Sequence, residues 1–181
     1  MKRINEIFYS IQGEGFFTGT PVIFIRFSGC NLSCAFCDTE FAHFKKMKNE
    51  EIIAEVEKYP SKHIVLTGGE PTLQLGEGDK LLVTLKEKGY FLQMETNGTG
   101  KIHRLVDWAT CSPKLPNYNG DCDELKVVYT GQDLSQYQNV KTKHRYLQPC
   151  SGKNTKEVIE IIKQDPQWKL SIQTHKLLKI Q

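Results

Sequence analysis

The chain has 181 residues, of which 39% are hydrophobic and 25% charged, values typical of a globular protein with its own hydrophobic core. Its net charge of +3 is below the strongly basic charge of a dedicated nucleic-acid-binding protein, so we expect no nucleic-acid partner. No apolar run approaches the roughly 18 residues of a membrane-spanning helix, and the N-terminus lacks the apolar segment of a secretion signal. We therefore expect a cytoplasmic protein without a membrane partner, in which six cysteines indicate metal binding or reactive thiols rather than disulfides.

Eight segments rich in β-branched and aromatic residues are predicted to be strands. In chain order they are Ile4–Tyr9, Val22–Phe27, His63–Thr67, Phe91–Glu95, Trp108–Cys111, Glu124–Val128, Arg145–Gln148 and Lys169–Ile172.

Three helical patterns lie between these strands. The first is capped by Asn49 and carries Ile52, Ile53 and Val56 on one face. The second runs from Leu73 to Lys88, although Gly76 and Gly78 weaken its first turns. The third begins near Asn154 and ends before Pro166.

The alternation of strands and helices predicts an α/β fold with a mostly parallel sheet. A complete eight-stranded barrel needs about 250 residues, which this chain does not have. We therefore predict a single domain over residues 1–181, built as a partial, truncated βα barrel of about six parallel strands with few helices. Functional residues of such a fold lie at the C-terminal ends of the strands.

Three cysteines follow the second predicted strand with the spacing C-x3-C-x2-C, namely Cys30, Cys34 and Cys37. Thiolates this close together can converge on one soft metal centre. A structural zinc site would need a fourth ligand, for which the sequence offers His43, Cys111, Cys122 or Cys150. An iron–sulfur cluster held by three cysteines instead leaves one iron open to a ligand.

This cysteine loop, with Phe36 before its last cysteine, resembles the signature of the radical S-adenosylmethionine superfamily. A second segment supports the resemblance: the third predicted strand ends in Gly68-Gly69-Glu70-Pro71, where the superfamily has a Gly-Gly-Glu type segment. The resemblance implies one [4Fe–4S] cluster on the three cysteines, with S-adenosylmethionine bound to the open iron and cleaved to a 5′-deoxyadenosyl radical. Gly69 is then expected to approach the cofactor closely, and Glu70 to hold its ammonium group.

Smaller motifs occur in order along the chain, mostly at predicted strand ends. They are Gln12-Gly13-Glu14-Gly15, Arg26, Cys37-Asp38-Thr39, Glu95-Thr96-Asn97-Gly98, Ser112-Pro113-Lys114, Gln148-Pro149 and Gln173-Thr174-His175-Lys176. Together they resemble the 7-carboxy-7-deazaguanine synthase family of the queuosine and 7-deazapurine pathway, from about Gln12 to Gln181. That family implies a homodimer that converts 6-carboxy-5,6,7,8-tetrahydropterin to 7-carboxy-7-deazaguanine with loss of ammonia and depends on Mg2+.

The resemblance assigns a role to each motif. Thr39 is expected to ligate Mg2+, with Asp38 supporting it. Glu14 is expected to accept hydrogen bonds from the pterin ring, and Arg26 to pair with the substrate carboxylate. The full set of expected substrate ligands is Gln12, Gly13, Glu14, Arg26, Thr67, His175 and the terminal carboxylate of Gln181. The expected cofactor-binding residues are Gly69, Glu70, Ser112, Pro113, Lys114, Gln148, Pro149, Cys150 and Ser151.

No side chain in these motifs is an obvious general base, because the radical comes from the cofactor. The reduced cluster requires an electron donor such as flavodoxin or ferredoxin. Two other interpretations remain open: a small radical enzyme that activates a partner protein would share the cysteines and the glycine-rich strand end but would not need Glu14 or Arg26. An electron carrier or zinc module would supply all four metal ligands from the protein.

Overall fold

The structure is a computed structural model that describes residues 1–37, 39, 43–116, 118 and 120–181. Within these ranges the chain forms nine strands and four α-helices. The strands are β1 Lys2–Ile11, β2 Pro21–Phe27, β3 Lys45–Met47, β4 His63–Gly68, β5 Phe91–Thr96, β6 Trp108–Cys111, β7 Cys122–Tyr129, β8 Thr142–Pro149 and β9 Lys169–Leu170. The helices are α1 Asn49–Val56, α2 Lys80–Glu87, α3 Thr155–Gln164 and α4 Thr174–Leu178.

All nine strands belong to one sheet in the order β3-β1-β2-β4-β5-β6-β7-β8-β9. From β2 onward the neighbours pair in parallel, which gives seven parallel strands if the two-residue β9 is included. The strand β1 is antiparallel to both of its neighbours. The predicted fold class is confirmed, and the parallel part exceeds the expected six strands only by the short β9.

The loop after β1 fills the end of the sheet at which the parallel strands begin. Phe17 packs edge-on against His63, Phe91 and Trp108, which are the first residues of β4, β5 and β6. The neighbouring Phe16 stacks on Trp108 at a ring-centroid distance of 4.7 Å. Aromatic rings supply large apolar contact area, so this loop forms a packed floor.

The same loop also connects β1 to the opposite edge of the sheet, where β9 lies. The backbone N–H of Gly15 donates to Ser171 Oγ just after β9 at 3.1 Å. Further along, the N–H of Thr174 donates to the carbonyl oxygen of Gly13 at 3.0 Å. The curved sheet and this bridge make a partial barrel whose C-terminal strand ends face one opening.

Two hydrophobic clusters lie between the sheet and the helices outside it. The larger one packs α1 and α2 against β2, β4 and β5, with Ile25, Leu66 and Leu82 fully buried. The smaller one packs α3 against β7 and β8 around Val127 and Leu147. Both clusters lie on the outer face of the sheet, and the cavities lie on its inner face, where charged and polar side chains are mixed with apolar ones such as Phe8 and Phe24.

The helix boundaries differ from the sequence prediction in two places. The predicted helix from Leu73 begins only at Lys80, because a short 3₁₀ turn at Pro71–Leu73 and a positive φ of 78° at Gly78 interrupt the chain. Asp79 then caps α2 by accepting a hydrogen bond from the Leu81 N–H at 3.0 Å. In α1 the cap is Lys48 rather than Asn49, and the carboxylate of Glu51 accepts a hydrogen bond from its N–H at 2.6 Å.

Two short elements, β3 and α4, were not predicted, and the predicted strand Lys169–Ile172 ends at Leu170. None of the described helices is long and apolar enough to cross a membrane.

Candidate active site

The cysteine loop begins where β2 ends, and its first residues are held by the glycine-rich end of β4. The N–H of Gly69 donates to the carbonyl oxygen of Phe27, and the N–H of Glu70 donates to that of Gly29, both at 2.9 Å. A methyl group at Gly69 would overlap the carbonyl oxygen of Gly29, so only glycine permits this approach. Two segments that are far apart in sequence thus meet directly before Cys30.

The loop presents its three thiols in a setting suited to an iron–sulfur cluster. Cys30 Sγ accepts hydrogen bonds from the Leu32 N–H at 3.4 Å and from Asn97 Nδ2 at 3.8 Å, contacts of the kind that tune clusters. The Cys37 N–H donates to the Cys34 carbonyl oxygen, which closes a turn between the second and third cysteines. Burial raises the pKa of the Cys34 thiol, and the nearby Cys37 and Cys30 raise it further, although Lys114 opposes this.

The zinc alternative finds no support in the arrangement of the other thiols. Cys111 and Cys122 are hydrogen-bonded to each other, with Tyr118 beside them, so they form a pair of their own. Among the described residues no three His, Cys, Asp or Glu side chains are gathered closely enough to hold a single metal ion. A four-iron cluster differs because each cysteine binds a different iron, so three thiols can hold it without a fourth protein ligand, and none is gathered with them among the residues that the structure describes.

Glu70 is fully buried and braces the ends of β4 and β5 from inside the protein. Its Oε1 accepts hydrogen bonds from the N–H and the hydroxyl of Thr72 and from the Thr96 hydroxyl, while Oε2 accepts one from the Asn97 N–H at 2.7 Å. Glu70 lines neither cavity, so the expected direct contact with the cofactor ammonium is not favoured. Its carboxylate holds Asn97, which in turn reaches Cys30.

The first cavity, of about 420 Å³, lies beside the cysteine loop over the C-terminal ends of the strands. It contains the three cysteines and most of the expected cofactor-binding residues. These are Gly69, Ser112, Lys114, Gln148, Pro149, Cys150 and Ser151. Pro113 is buried between Ser112 and Lys114 and does not line the cavity.

Lys114 is held against the cavity wall from two sides. Its ammonium donates to Ser112 Oγ at 2.7 Å and lies over the ring of Phe36, 5.6 Å from the ring centroid. Burial lowers the pKa of Lys114, and the nearby Lys126 lowers it further. The loop after β6 is thereby tied to the cysteine loop after β2.

The second cavity, of about 570 Å³, lies between β1, β2 and the C-terminal segment. Every expected substrate ligand lines it: Gln12, Gly13, Glu14, Arg26, Thr67, His175 and Gln181. Thr39, the expected Mg2+ ligand, lines both cavities, whereas Asp38 lies outside the described residues. Of the described residues, six line both cavities: Glu14, Thr39, Thr67, Glu95, Lys126 and Gln173.

Arg26 projects into the second cavity with its guanidinium oriented by two neighbours. Its Nε donates to Glu6 Oε1 at 2.7 Å, and the guanidinium carbon lies 5.7 Å from the ring centroid of Phe8. Glu6 Oε2 also accepts a hydrogen bond from the side-chain amide of Gln181. The main-chain oxygen of Gln181 accepts a hydrogen bond from the Ser10 hydroxyl at 2.6 Å. The last residue is thereby held at the cavity wall.

Gly13 and His175 are in close contact in the wall of this cavity. A methyl group at Gly13 would overlap the imidazole ring, so this glycine lets α4 pack onto the loop after β1.

A charged cluster at the boundary of the two cavities was missed by the sequence analysis. Lys126 on β7 is 4% exposed, and its Nζ lies 2.6 Å from Glu14 Oε2 and 2.8 Å from Glu95 Oε2. Burial lowers the pKa of Lys126, but Glu14, Glu95 and Glu124 together raise it above its ordinary value. The available signal was a lysine inside the otherwise apolar run Leu125–Val128, because such a residue is rarely buried without a partner.

Comparison with known proteins identifies the class of protein that this fold and site define. The family model described as "Radical SAM superfamily" matches residues 24–164, which is most of the chain. The chain belongs to the radical SAM superfamily, and its cofactors are a [4Fe–4S] cluster and S-adenosylmethionine.

Within that superfamily the similarity is closer to one group. A protein of Bacteroides thetaiotaomicron named 7-carboxy-7-deazaguanine synthase is 52% identical over 99% of both chains, and one of the same name from Haemophilus influenzae is 40% identical over 99% of this chain and 94% of its own. The crystal structure of QueE from Escherichia coli matches with a TM-score of 0.75 and 28% identity, covering 95% of this chain and 93% of that one. The chain belongs to the 7-carboxy-7-deazaguanine synthase family, a family of enzymes that depend on Mg2+.

Proposed function

We propose that this enzyme converts 6-carboxy-5,6,7,8-tetrahydropterin to 7-carboxy-7-deazaguanine with release of ammonia, within queuosine and 7-deazapurine biosynthesis. The observation that carries the proposal is the pair of connected cavities. One contains the three cysteines and the other contains Glu14 and Arg26, and the two meet at Thr39 and Thr67. A substrate in the second cavity would lie next to a cofactor in the first.

The cofactor would be held by Cys30, Cys34 and Cys37 through the cluster, and by the wall from Ser112 to Lys114 and from Gln148 to Ser151. When bound, the cluster and S-adenosylmethionine supply a 5′-deoxyadenosyl radical, which can abstract a hydrogen atom from C6 of the pterin. The aromatic rings of Phe16, Phe17 and Trp108, at the end of the sheet where the parallel strands begin, would help to exclude water from that end of the barrel.

The protein's part in the reaction is to bind and orient the substrate. Arg26 would pair with the substrate carboxylate, for which a guanidinium already oriented by Glu6 is well suited. Thr39 would give Mg2+ an oxygen ligand beside that carboxylate. Glu14 would accept hydrogen bonds from the N–H donors of the aminopyrimidinone ring, and His175 and Gln181 would close the cavity. Geometric restraint of this kind favours ring contraction over side reactions of the radical.

The remaining proposals concern the molecule as a whole. We infer that residues 1–181 act as one domain, since a single sheet runs through both hydrophobic clusters. We also propose a homodimer in the cytoplasm that receives its electron from a donor such as flavodoxin or ferredoxin. Sedimentation at micromolar concentration tests the dimer, and replacement of dithionite by reduced flavodoxin tests the donor.

The test of the function is turnover by the anaerobically reconstituted enzyme. Dithionite, Mg2+, S-adenosylmethionine and 6-carboxytetrahydropterin are added, and mass spectrometry follows 5′-deoxyadenosine and 7-carboxy-7-deazaguanine. We expect both products from the wild type and neither from Cys34→Ala, which lacks one cluster ligand. Cys122→Ala is the matched control, since Cys122 pairs with Cys111 away from the cavities, and it should keep both products.

The outcomes separate the possible errors. Formation of 5′-deoxyadenosine alone would refute the pterin substrate and leave the radical chemistry intact. Failure to form either product by a protein with a full cluster would refute the enzyme assignment itself.

A further inference from the structure

Lys126 lies on the face of β7 that points into the barrel, and its side chain reaches the boundary between the two cavities. Its neighbours Leu125 and Val127 are fully buried in the outer hydrophobic cluster, so alternation along β7 directs Lys126 inward. Its side chain is only 5% exposed, and those of Glu14 and Glu95 are each 16% exposed. A buried ammonium is stable only when carboxylates compensate it, and here two do so.

The hydrogen bonds around Lys126 join four separate parts of the chain. Glu14 Oε1 accepts a hydrogen bond from Gln173 Nε2 at 2.8 Å, while Glu14 Oε2 binds Lys126. Glu95 Oε1 accepts bonds from Gln12 and Gln93 at 3.3 and 3.2 Å, while Glu95 Oε2 binds Lys126. The network therefore connects the loop after β1, strands β5 and β7, and the segment before α4. It holds Glu14 from both of its oxygens.

The charges of this network leave Glu14 suited to one kind of ligand. Two carboxylates face a single ammonium, so the group keeps negative charge and spare acceptor positions where Glu14 borders both cavities. A ring that presents adjacent N–H donors, as a 2-aminopyrimidin-4-one does, would satisfy them.

We propose that Lys126 is a positioning residue that keeps the Glu14 carboxylate charged and aimed, so that Glu14 recognises the N–H donor edge of the substrate ring. This inference rests on the proposed function, because it takes the pterin as the ligand of Glu14. Lys126 itself acts through Glu14 and takes no proton from the substrate.

The protonation of Glu14 provides the measurable consequence. Burial raises the pKa of Glu14, but Lys126, with smaller contributions from Gln173 and His175, more than offsets burial, and the pKa lies below its ordinary value. Without the ammonium the pKa of Glu14 rises, so at the acidic end of the pH range more of this carboxyl is protonated and its acceptor capacity falls. Raising the pH then restores the carboxylate. The other titratable groups facing this pair are Glu95 on β5, Glu124 on β7, Lys114 after β6 and His175 in α4.

The experiment measures equilibrium binding of fluorescent pterin-6-carboxylate, with Mg2+, to the protein between about pH 6 and 8. For Lys126→Met we expect a Kd about tenfold or more above that of the wild type at the acidic end, with the difference shrinking as pH rises. Lys143→Met on the neighbouring strand, where the lysine is 68% exposed, is the matched control and should bind like the wild type. The double variant Glu14→Gln/Lys126→Met should bind weakly with no pH-dependent recovery, because it has no carboxylate at position 14 to ionise.

Three results would overturn the inference: wild-type affinity in Lys126→Met at every pH, an affinity loss in that variant that does not change with pH, or pH-dependent recovery that persists in the double variant. If Lys126→Met does not fold by circular dichroism, Lys126→Gln replaces it: its amide can still donate to a buried carboxylate and support the fold, but it has no charge, so the same pH-dependent loss is expected. A wild-type protein that neither binds nor turns over the pterin would instead refute the proposed function. Wild-type turnover together with unaffected Lys126 variants would refute only the role of Lys126.

Discussion

The two cavities are built in different ways although they share a wall. The first is formed by loops at the C-terminal ends of parallel strands, and backbone hydrogen bonds such as that from Glu70 to Gly29 set its shape. The second is formed by the antiparallel β1 and the C-terminal segment, and charged side-chain pairs such as Arg26–Glu6 set its shape. A substitution that disrupts the first cavity should abolish both cofactor cleavage and product formation. A substitution that disrupts the second cavity should affect only the binding and conversion of the pterin substrate.

The largest expected effect on activity comes from Gly69→Ala in the first cavity. The added methyl group overlaps the Gly29 carbonyl, and because both partners are backbone, the strand end or the cysteine loop must move at a cost of roughly 1–3 kcal/mol. We expect iron content and 5′-deoxyadenosine formation to fall together. Gly76→Ala is the matched control, since nothing lies within 4 Å of its added methyl group. A Gly69→Ala enzyme with full iron content and normal cofactor cleavage would contradict the backbone account of this cavity.

Arg26→Gln should affect the second cavity alone. Loss of a charge-assisted hydrogen bond to the substrate carboxylate costs about 1.5–3 kcal/mol, so the KM for the pterin should rise roughly tenfold to a hundredfold. Cofactor cleavage in the absence of the pterin should stay at the wild-type rate. The exposed Arg104→Gln serves as the control for removal of a positive charge. If cofactor cleavage and KM changed by the same factor, the two cavities would not be separable in the way described.

The smallest effect on activity is expected at Glu124, which binds the backbone of the loop that carries Glu14 and whose replacement acts on stability. Burial raises the pKa of Glu124 to about 7, and its Oε1 has no hydrogen-bond partner among the described residues. Because the folded-state pKa is the higher one, the stabilising contribution of the protonated carboxyl is present at acidic pH and lost as pH rises toward 7.

Glu124→Gln should therefore gain stability relative to the wild type between about pH 5 and 8, by up to ~3 kcal/mol, and chemical unfolding across that range measures the difference. Gln138→Glu, at an exposed position, is the control and should show no such trend. A constant difference between Glu124→Gln and the wild type would mean that the buried carboxyl does not titrate in this range.

The fold was largely predictable because buried parallel strands have a strong apolar pattern. All eight predicted strands exist, although the last of them is only two residues long. The direction of β1 was not predictable, since alternation of apolar residues is the same in both directions. The segment Lys45–Met47 has no strand pattern and pairs only because it meets the free edge of β1.

The parts of the site whose role follows from the residue type and its spacing were predictable. The parts whose role depends on which other side chains lie next to them in the folded chain were not. Cysteine spacing and the Gly-Gly-Glu segment identify the first cavity directly. Glu70 was expected in the cavity wall because a carboxylate beside glycines suggests a ligand, and only the structure reveals four protein donors around it. Lys126 was missed because its two partners come from segments about 30 and 110 residues away, a juxtaposition that only the folded sheet creates.

The contact between Gly69 and Gly29 also limits how this protein can change over time. Neither partner has a side chain, so no smaller residue exists that could make room for a larger one on the opposite side. A core contact between two leucines can be rescued by a reciprocal change of size, but this contact cannot. A selection for revertants of Gly69→Ala should therefore return the original glycine at position 69 and should yield no compensating substitution at position 29.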